Sequence, residues 1–206
     1  MLIGTGDIRS WLNIPEGAKQ SNTKFELVIQ AVEKFVDNWT NRRLQAFHYK
    51  TNPDYCYLDG PGTSWLYLPQ YPVSWIGTIY VDAEREWDSA SAIGSADLVV
   101  YWKEGKIYSE EMGFSKGHRN INVEYIAGYG TSEAGVSSSY PLPPDLKLVI
   151  LEMASEALKE GITAVHTVAP EGGEGRFVQM LGSNSYWRNT LDEYKNHAAG
   201  LAGYWQ

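Results

Sequence analysis

Cysteine, basic residues and long apolar runs are scarce in this sequence, and each shortage excludes a class of protein. Cys56 is the single cysteine among 206 residues, so no disulfide can form within the chain. The 17 lysines and arginines are outnumbered by 25 acidic residues, giving a formal net charge of −8. A protein that grips DNA phosphates needs clustered basic residues, and here Arg42 and Arg43 form the only adjacent pair. Tight nucleic-acid binding is therefore not expected.

Hydrophobic targeting signals are missing as well. No stretch approaches the roughly 18 consecutive apolar residues that a membrane span requires. Met1–Asp7 has neither the basic region nor the long apolar region of a signal peptide. We therefore expect a soluble protein that is synthesised in a cytoplasm and has no membrane partner.

The four histidines do not form a metal-binding pattern. His48, His118, His166 and His197 stand alone, without the short His–His or Cys–Cys spacings that bring ligands onto one metal ion. We predict no metal site and no cofactor.

Three features resemble catalytic motifs but have simpler interpretations. Cys56 lies in a strand pattern, where a free cysteine usually behaves as a small buried hydrophobe, and sequence proximity to His48 does not place a base beside it. Glu110 and Glu111 would point to opposite faces of a strand, so they make a poor acid–base pair. The segment 172–176, Gly-Gly-Glu-Gly-Arg, lacks the Lys-Ser/Thr ending of a phosphate-binding loop. A small hydrolase that joins Cys56, or a carboxylate pair among Glu110, Glu111 and Glu124, to a histidine remains an alternative, but we predict that the protein is not an enzyme.

Two segments have the 3.6-residue period of amphipathic helices. The first is predicted over 23–40, and the second, over 144–160, starts at a Pro-Pro-Asp sequence that favours helix initiation. A shorter last helix is predicted from Tyr186 to about Ala199. The apolar stripes of the two long helices comprise Phe25, Val28, Ile29, Val32, Phe35, Val36 and Trp39, and Leu146, Val149, Ile150, Met153, Ala154, Ala157 and Leu158.

The segment between these helices has the two-residue period of strands. Alternation over 54–127 predicts a small antiparallel sheet, with Ile121, Val123 and Tyr125 on one face. The expected fold class is α+β, in which two long packed helices carry this sheet as an insertion. We assign residues 1–160 to a core domain and 161–206 to a C-terminal extension.

Aromatic residues are abundant, with 8 tryptophans and 14 tyrosines. Such side chains suit both cores and protein interfaces. Trp65, Trp75, Trp87 and Trp102 fall in the strand-rich segment, where coplanar exposed rings would form a carbohydrate-binding platform. A carbohydrate-binding module of a virion protein is therefore the alternative function.

Several motifs, in this order, resemble those of head–tail connector (adaptor) proteins of tailed bacteriophages. They are the helix exit Phe35–Arg43, the Asp-Gly-Pro-Gly turn in Tyr57–Thr63, Leu66–Val73 with its Pro-Val ending, the alternating Asn120–Tyr129 with its Ala-Gly-Tyr ending, and the Pro-Pro-Asp-Leu-Lys start in Leu142–Ala154.

The resemblance covers about residues 23–160 and implies a structural role in the virion. Connector subunits form a ring, typically dodecameric, beneath the portal protein at the head–tail interface. The ring extends the DNA channel and seats the next head-completion, stopper or tail protein. DNA would pass through the lumen without specific binding, since the composition is acidic. Synthesis would take place in the cytoplasm of the bacterial host.

The extension beyond residue 160 exceeds the usual connector length and is rich in aromatic anchors. Aromatic residues are favoured hot spots of interfaces. We therefore predict a portal-docking arm, the alternative being that the extension folds back onto its own domain. The predicted docking residues are Tyr186, Trp187, Leu191, Tyr194, Tyr204 and Trp205.

Overall fold

A computed structural model describes residues 1–15, 22–50, 53–94, 97–110, 113–131, 135–159 and 184–196. The helices are α1 (Thr5–Trp11), α2 (Asn22–Thr40), the single turn α3 (Pro53–Cys56), α4 (Pro144–Lys159) and α5 (Ser185–Glu193). The strands are β1 (Phe47–Tyr49), β2 (Tyr57–Gly60), β3 (Trp65–Tyr67), β4 (Val73–Val81), β5 (Ala92–Ile93), β6 (Leu98–Tyr101), β7 (Lys106–Ser109) and β8 (Gly117–Ala127).

The chain divides into two compact units. The helical unit comprises Met1–Arg42 and Leu142–Asn196, and the β unit comprises, among the described residues, Arg43–Pro141. The boundary between the two units therefore falls at both ends of the strand-rich segment.

The helical unit is held together by the apolar stripes of α2 and α4, which contact each other. On α2 the stripe runs from Phe25 to Val36 and leaves Val32 and Ile29 fully buried. On α4 two small residues, Ala154 and Ala157, are fully buried, and small side chains let helices approach closely. The short helix α1 adds Ile8, which is also fully buried.

The β unit contains two antiparallel sheets. In the five-stranded sheet the order is β1-β8-β4-β5, and β2 also pairs with β8. Strand β8 is central because it pairs with neighbouring strands on both of its edges. Its alternate residues Ile121, Val123, Tyr125 and Ala127 are buried. The second sheet has the order β3-β7-β6. Buried side chains from both sheets form one hydrophobic core: Tyr49, Cys56, Leu66, Leu68, Val73, Ile79, Ile93, Ile107, Phe114, Ile121, Val123, Tyr125 and Ala127.

The expected α+β architecture, two long packed helices with a small inserted sheet, is wrong. The described residues form two antiparallel sheets with eight strands, and the longest helix has only 19 residues. Four helices longer than one turn lie within these described residues, so the two long periodic segments are only part of the helical structure. The cause of the error is strand length: β3, β5, β6 and β7 have two to four residues each, and so short an alternation does not reveal which strands pair.

Candidate assembly surfaces

The predicted docking residues of the C-terminal extension have unequal exposure. Trp187 and Leu191 lie on the buried side of α5, with 7% and 0% of their surface exposed. Tyr186, by contrast, is 46% exposed, and Tyr194 is half-buried. Tyr204 and Trp205 lie outside the described residues. Of the predicted docking residues that the structure describes, Tyr186 is therefore the most exposed.

The start of α5 is fixed by its cap and by a carboxylate of α4. Asn184 is the N-cap, and its side-chain oxygen accepts hydrogen bonds from the backbone N–H groups of Tyr186 and Trp187. The indole N–H of Trp187 donates to Glu152 at 2.5 Å. Burial and this hydrogen bond together give Trp187 one orientation against α4.

The end of α5 is fixed by two further contacts with carboxylates. The hydroxyl of Tyr194 donates to Asp145, at 2.9 and 3.0 Å from its two carboxylate oxygens. Asp192 accepts the indole N–H of Trp39 at 3.0 Å and lies 2.6 Å from the ammonium of Lys195. The Lys195 hydrogen bond holds the pKa of Asp192 below its usual range; partial burial opposes this shift and the Trp39 hydrogen bond adds to it. In this way α5 is joined to both α2 and α4.

A second surface, in the β unit, is the outer side of the three-stranded sheet. The strand register places six side chains there in two rows of three, Trp65–Tyr108–Val99 and Tyr67–Lys106–Tyr101. The alternate residues Leu66 and Ile107 point to the other side and are buried in the core. We call these six residues the aromatic face: Trp65, Tyr67, Val99, Tyr101, Lys106 and Tyr108.

The aromatic face is exposed although it is rich in apolar surface. Tyr67, Val99 and Tyr101 are 53%, 54% and 45% exposed. Trp65 lies with its ring centroid 4.9 Å from that of Tyr108 and 5.5 Å from that of Tyr101. The ammonium of Lys106 lies 5.9 Å from the Tyr67 ring centroid, a cation–π contact. These exposed apolar side chains make the aromatic face a candidate interaction surface.

Of the residues of the aromatic face, only Trp65 was predicted from the sequence as a candidate. The alternation is visible in the sequence: in β3 and in β6 an apolar residue lies between two residues whose side chains point outward. However, an aromatic residue in a strand fits a core as well as a surface, and the pairing of β3, β7 and β6 was needed to bring the rows together.

The ring geometry does not fit the carbohydrate-binding alternative. The ring planes of Trp65 and its neighbours are tilted by 44° to Tyr101 and 51° to Tyr108, so they do not form a flat platform. Trp75 meets His48 edge-on at 5.8 Å, and Trp87 packs against Tyr57 at 5.7 Å. A tilted, rough aromatic surface is better suited to interdigitating with protein side chains.

Of the residues considered for catalysis, His48 and Glu124 are brought together, and Cys56 lies in the core. Cys56 is fully buried in the core of the β unit, next to a tyrosine cluster. Burial in this cluster, with Tyr49 beside it, raises the pKa of Tyr125 far above its usual range. His48 pairs with Glu124 at 2.7 Å and His118 with Asp59 at 2.9 Å, whereas His166, His197, Glu111 and the segment 172–176 lie outside the described residues.

The described part of the chain contains no group of three or more His, Cys, Asp or Glu side chains able to hold a metal ion. None of its helices is both long and apolar enough to cross a membrane.

Comparison with known proteins gives similarity in structure alone. No family model matches the sequence, and no curated protein matches it. A chain from the neck of an empty GTA particle computed with C6 symmetry aligns at a TM-score of 0.51 and 14% identity, over 77% of this chain and 78% of that one.

Two other solved chains align less well at the same identity of 14%. One is from the virion of a native gene transfer agent (GTA) particle, with a TM-score of 0.47 over 77% and 78% of the two chains. The other is from the neck of a native GTA particle computed with C12 symmetry, with a TM-score of 0.43 over 75% of each chain. The resemblance to neck proteins that the sequence motifs predicted is thus confirmed at the level of the fold, and the chain has the fold of a protein from the neck of a GTA particle.

Proposed function

We propose that this chain is a structural subunit of a virion neck, a head–tail connector that forms a ring beneath the portal protein. The observation that carries the proposal is the shared fold with a chain from a particle neck, which extends over 77% of the present chain. The order of the sequence motifs supports the proposal independently, because the motifs depend on the sequence alone. The role is mechanical and requires no catalytic residue.

The symmetry of the neck that contains the similar chain supports ring formation. That neck was computed with C6 symmetry. A cyclic assembly needs two different contact surfaces on every subunit, one for each neighbour. We propose a ring whose copy number is a multiple of six, and the connector resemblance favours twelve.

Within this proposal the ring extends the DNA channel and seats the next head-completion or tail protein. Each copy carries a formal net charge of −8, which suits a channel through which DNA slides without binding. Basic residues concentrated on the lumen would contradict this part of the proposal.

Helix α5 is the proposed contact with the portal protein. Tyr186 supplies an exposed aromatic anchor, while Trp187 and Leu191 hold the helix against its own unit. This division of roles changes how docking should be tested. Truncation before α5 would remove buried core residues, so loss of binding would not separate docking from misfolding, and a point substitution at Tyr186 is required.

Co-expression with the portal protein of the same genome tests the function. The two proteins are purified through a tag on the portal and imaged by negative-stain electron microscopy. We expect a portal particle lengthened by a coaxial ring, with the copy number read from native mass spectrometry. A portal that purifies bare while this chain remains monomeric would contradict the proposal.

The docking contact has a matched pair of variants on one helix. Tyr186→Asp adds a charge in the first turn of α5, where the helix dipole favours acids, so folding should be preserved. Asn189→Asp adds the same charge at another exposed position of α5. We expect Tyr186→Asp to lose binding to the portal protein and Asn189→Asp to retain it. Equal binding by both variants would contradict the proposal that α5 contacts the portal protein.

A further inference from the structure

We infer that the aromatic face binds a second copy of this chain, so that it is one of the two subunit contacts of the ring. This inference rests on the proposed function and deepens it, because it assigns the ring contact to six named residues. It starts from the distribution of exposed apolar surface. Of the eight large hydrophobic residues that are exposed in the described part of the chain, four belong to the three-stranded sheet or its adjoining turn: Tyr67, Val99, Tyr101 and Trp102.

The backbone makes this face a stable platform. Its two rows are fixed by antiparallel pairing on both sides of β7, and the opposite side of the sheet is anchored in the core through Leu66 and Ile107. The outer side chains therefore need little ordering when a partner binds, which lowers the entropic cost of association. Trp65 already contacts both Tyr101 and Tyr108 in the unbound chain.

The net charge of the chain favours a second copy as the partner that binds the aromatic face. Identical copies with a net charge of −8 repel each other, and the repulsion is weakest where a contact surface carries no acid. None of the six residues of the aromatic face is acidic, and Lys106 lies in the middle strand. A face that is apolar and basic complements the acidic surface that the rest of this chain presents.

The counter-surface must be a different part of the neighbouring copy, because ring contacts are heterologous. Exposed acids are available for it in the β unit, including Glu84, Glu86 and Asp88. Aromatic residues and a central cation against a rim of carboxylates give the apolar core and polar rim that specific interfaces have. The inference commits to copy-to-copy contact and not to a contact with the portal or a tail protein.

Photo-crosslinking from the face tests this directly, because the chain offers a clean labelling background. The single native cysteine, Cys56, is fully buried, so a benzophenone maleimide will label an introduced surface cysteine selectively. Val99→Cys places the label on the aromatic face, and Thr78→Cys places it on an exposed position of β4 in the other sheet. Both variants are irradiated as the full chain, alone and after co-assembly with the portal protein.

We expect Val99→Cys to give a product of twice the chain mass, and Thr78→Cys to give little. A product that joins the chain to the portal, a crosslink within one copy to residues 197–206, equal dimer yield from both positions, or no crosslink in an assembled ring would each overturn the inference.

A second measurement separates this inference from the function on which it rests. Val99→Asp and Thr78→Asp add the same charge at an exposed strand position, and melting temperatures measured beside the wild type's will show whether both fold. We expect Val99→Asp to weaken copy-to-copy association by about tenfold or more in native mass spectrometry. Normal ring copy number for Val99→Asp would overturn the aromatic face as the contact while leaving the neck role intact. Failure of the wild-type chain to join the portal, with dimer crosslinks from Val99→Cys retained, would overturn the neck role alone.

Discussion

Tyr194 donates its hydroxyl to both carboxylate oxygens of Asp145, at 2.9 and 3.0 Å, although the two residues are separated by 49 positions in the sequence. Asp145 belongs to the first turn of α4, where a carboxylate is already favoured by the helix dipole. The same side chain thus stabilises the start of one helix and anchors the end of another.

Tyr194→Phe should therefore destabilise the helical unit without changing its packing volume. A hydrogen bond to a charged group contributes about 1.5–3 kcal/mol, and partial exposure of both partners places the expected loss near the lower value. Urea unfolding at neutral pH, followed by circular dichroism, measures the change. Unfolding that matches the wild type would mean that water replaces the bond at no cost.

Asp192 predicts a loss of stability in acid. Its folded pKa is lowered, chiefly by the Lys195 hydrogen bond, so its contribution is present above the unfolded pKa and is lost as the pH falls through the folded pKa. Lys195→Met removes the main cause. We expect the variant to lose less stability than the wild type between neutral pH and the acid range, by less than about 1 kcal/mol because the pair is exposed.

Glu33 predicts the opposite change of stability with pH. Burial raises its pKa, although it accepts backbone N–H groups from Leu2 and Ile3 that oppose the shift. A raised folded pKa contributes stability that is complete below the unfolded pKa, near 4.5, and is lost as the pH rises through the folded pKa.

Glu33→Gln tests this slope because it keeps an acceptor oxygen and removes the charge. We expect the variant to lose the decline in melting temperature that Glu33 contributes as the pH rises from about 4.5 through its folded pKa. A variant whose melting temperature depends on pH as the wild type's does would show that the carboxyl group is not perturbed.

The backbone conformation and close packing at Gly128 explain why the Ala-Gly-Tyr motif has a glycine at this position. Its φ is +109°, and a Cβ at this position would lie 2.6 Å from the carbonyl oxygen of Gln45. Gly130 also has a positive φ, of +66°, but a Cβ there would meet nothing within 4 Å. Both alanine variants thus carry backbone strain, and only one carries a clash.

We expect Gly128→Ala to be destabilised by about 1–3 kcal/mol more than Gly130→Ala, the range typical of overpacking. Chemical unfolding of both variants gives the difference. Equal losses would show that backbone conformation alone, and not the approach of Gln45, requires the glycine.

The helices were more predictable from the sequence than the sheets, and the reason is length. The stripe from Phe25 to Val36 repeats over several turns, so its period is unambiguous, and the predicted span 23–40 lies close to α2. The eleven residues of β8 alternate long enough to reveal their buried side. Strands such as β5, with two residues, exist because of their partners and have no periodic signal of their own.

The assembly surfaces were predictable only in part for a similar reason. The local sequence of α5 reveals an aromatic helix but not which aromatic residue faces inward; Glu152, 35 positions away, accepts the Trp187 hydrogen bond. The aromatic face depends on pairing between strands up to 43 positions apart, such as Trp65 with Tyr108. Side chains that are equally apolar become core or surface according to these distant partners.

The donors that join α5 to the carboxylates of its neighbours are largely uncharged. Trp187, Trp39 and Tyr194 contribute indole and phenol groups, which stay protonated at neutral pH. Ionic strength weakens contacts between two exposed charges, whereas a hydrogen bond from a neutral donor has little long-range field to screen. An acidic protein can in this way hold a helix chiefly through neutral donors and rely little on its few basic residues. The helix should then stay attached in dilute buffer and in concentrated salt alike.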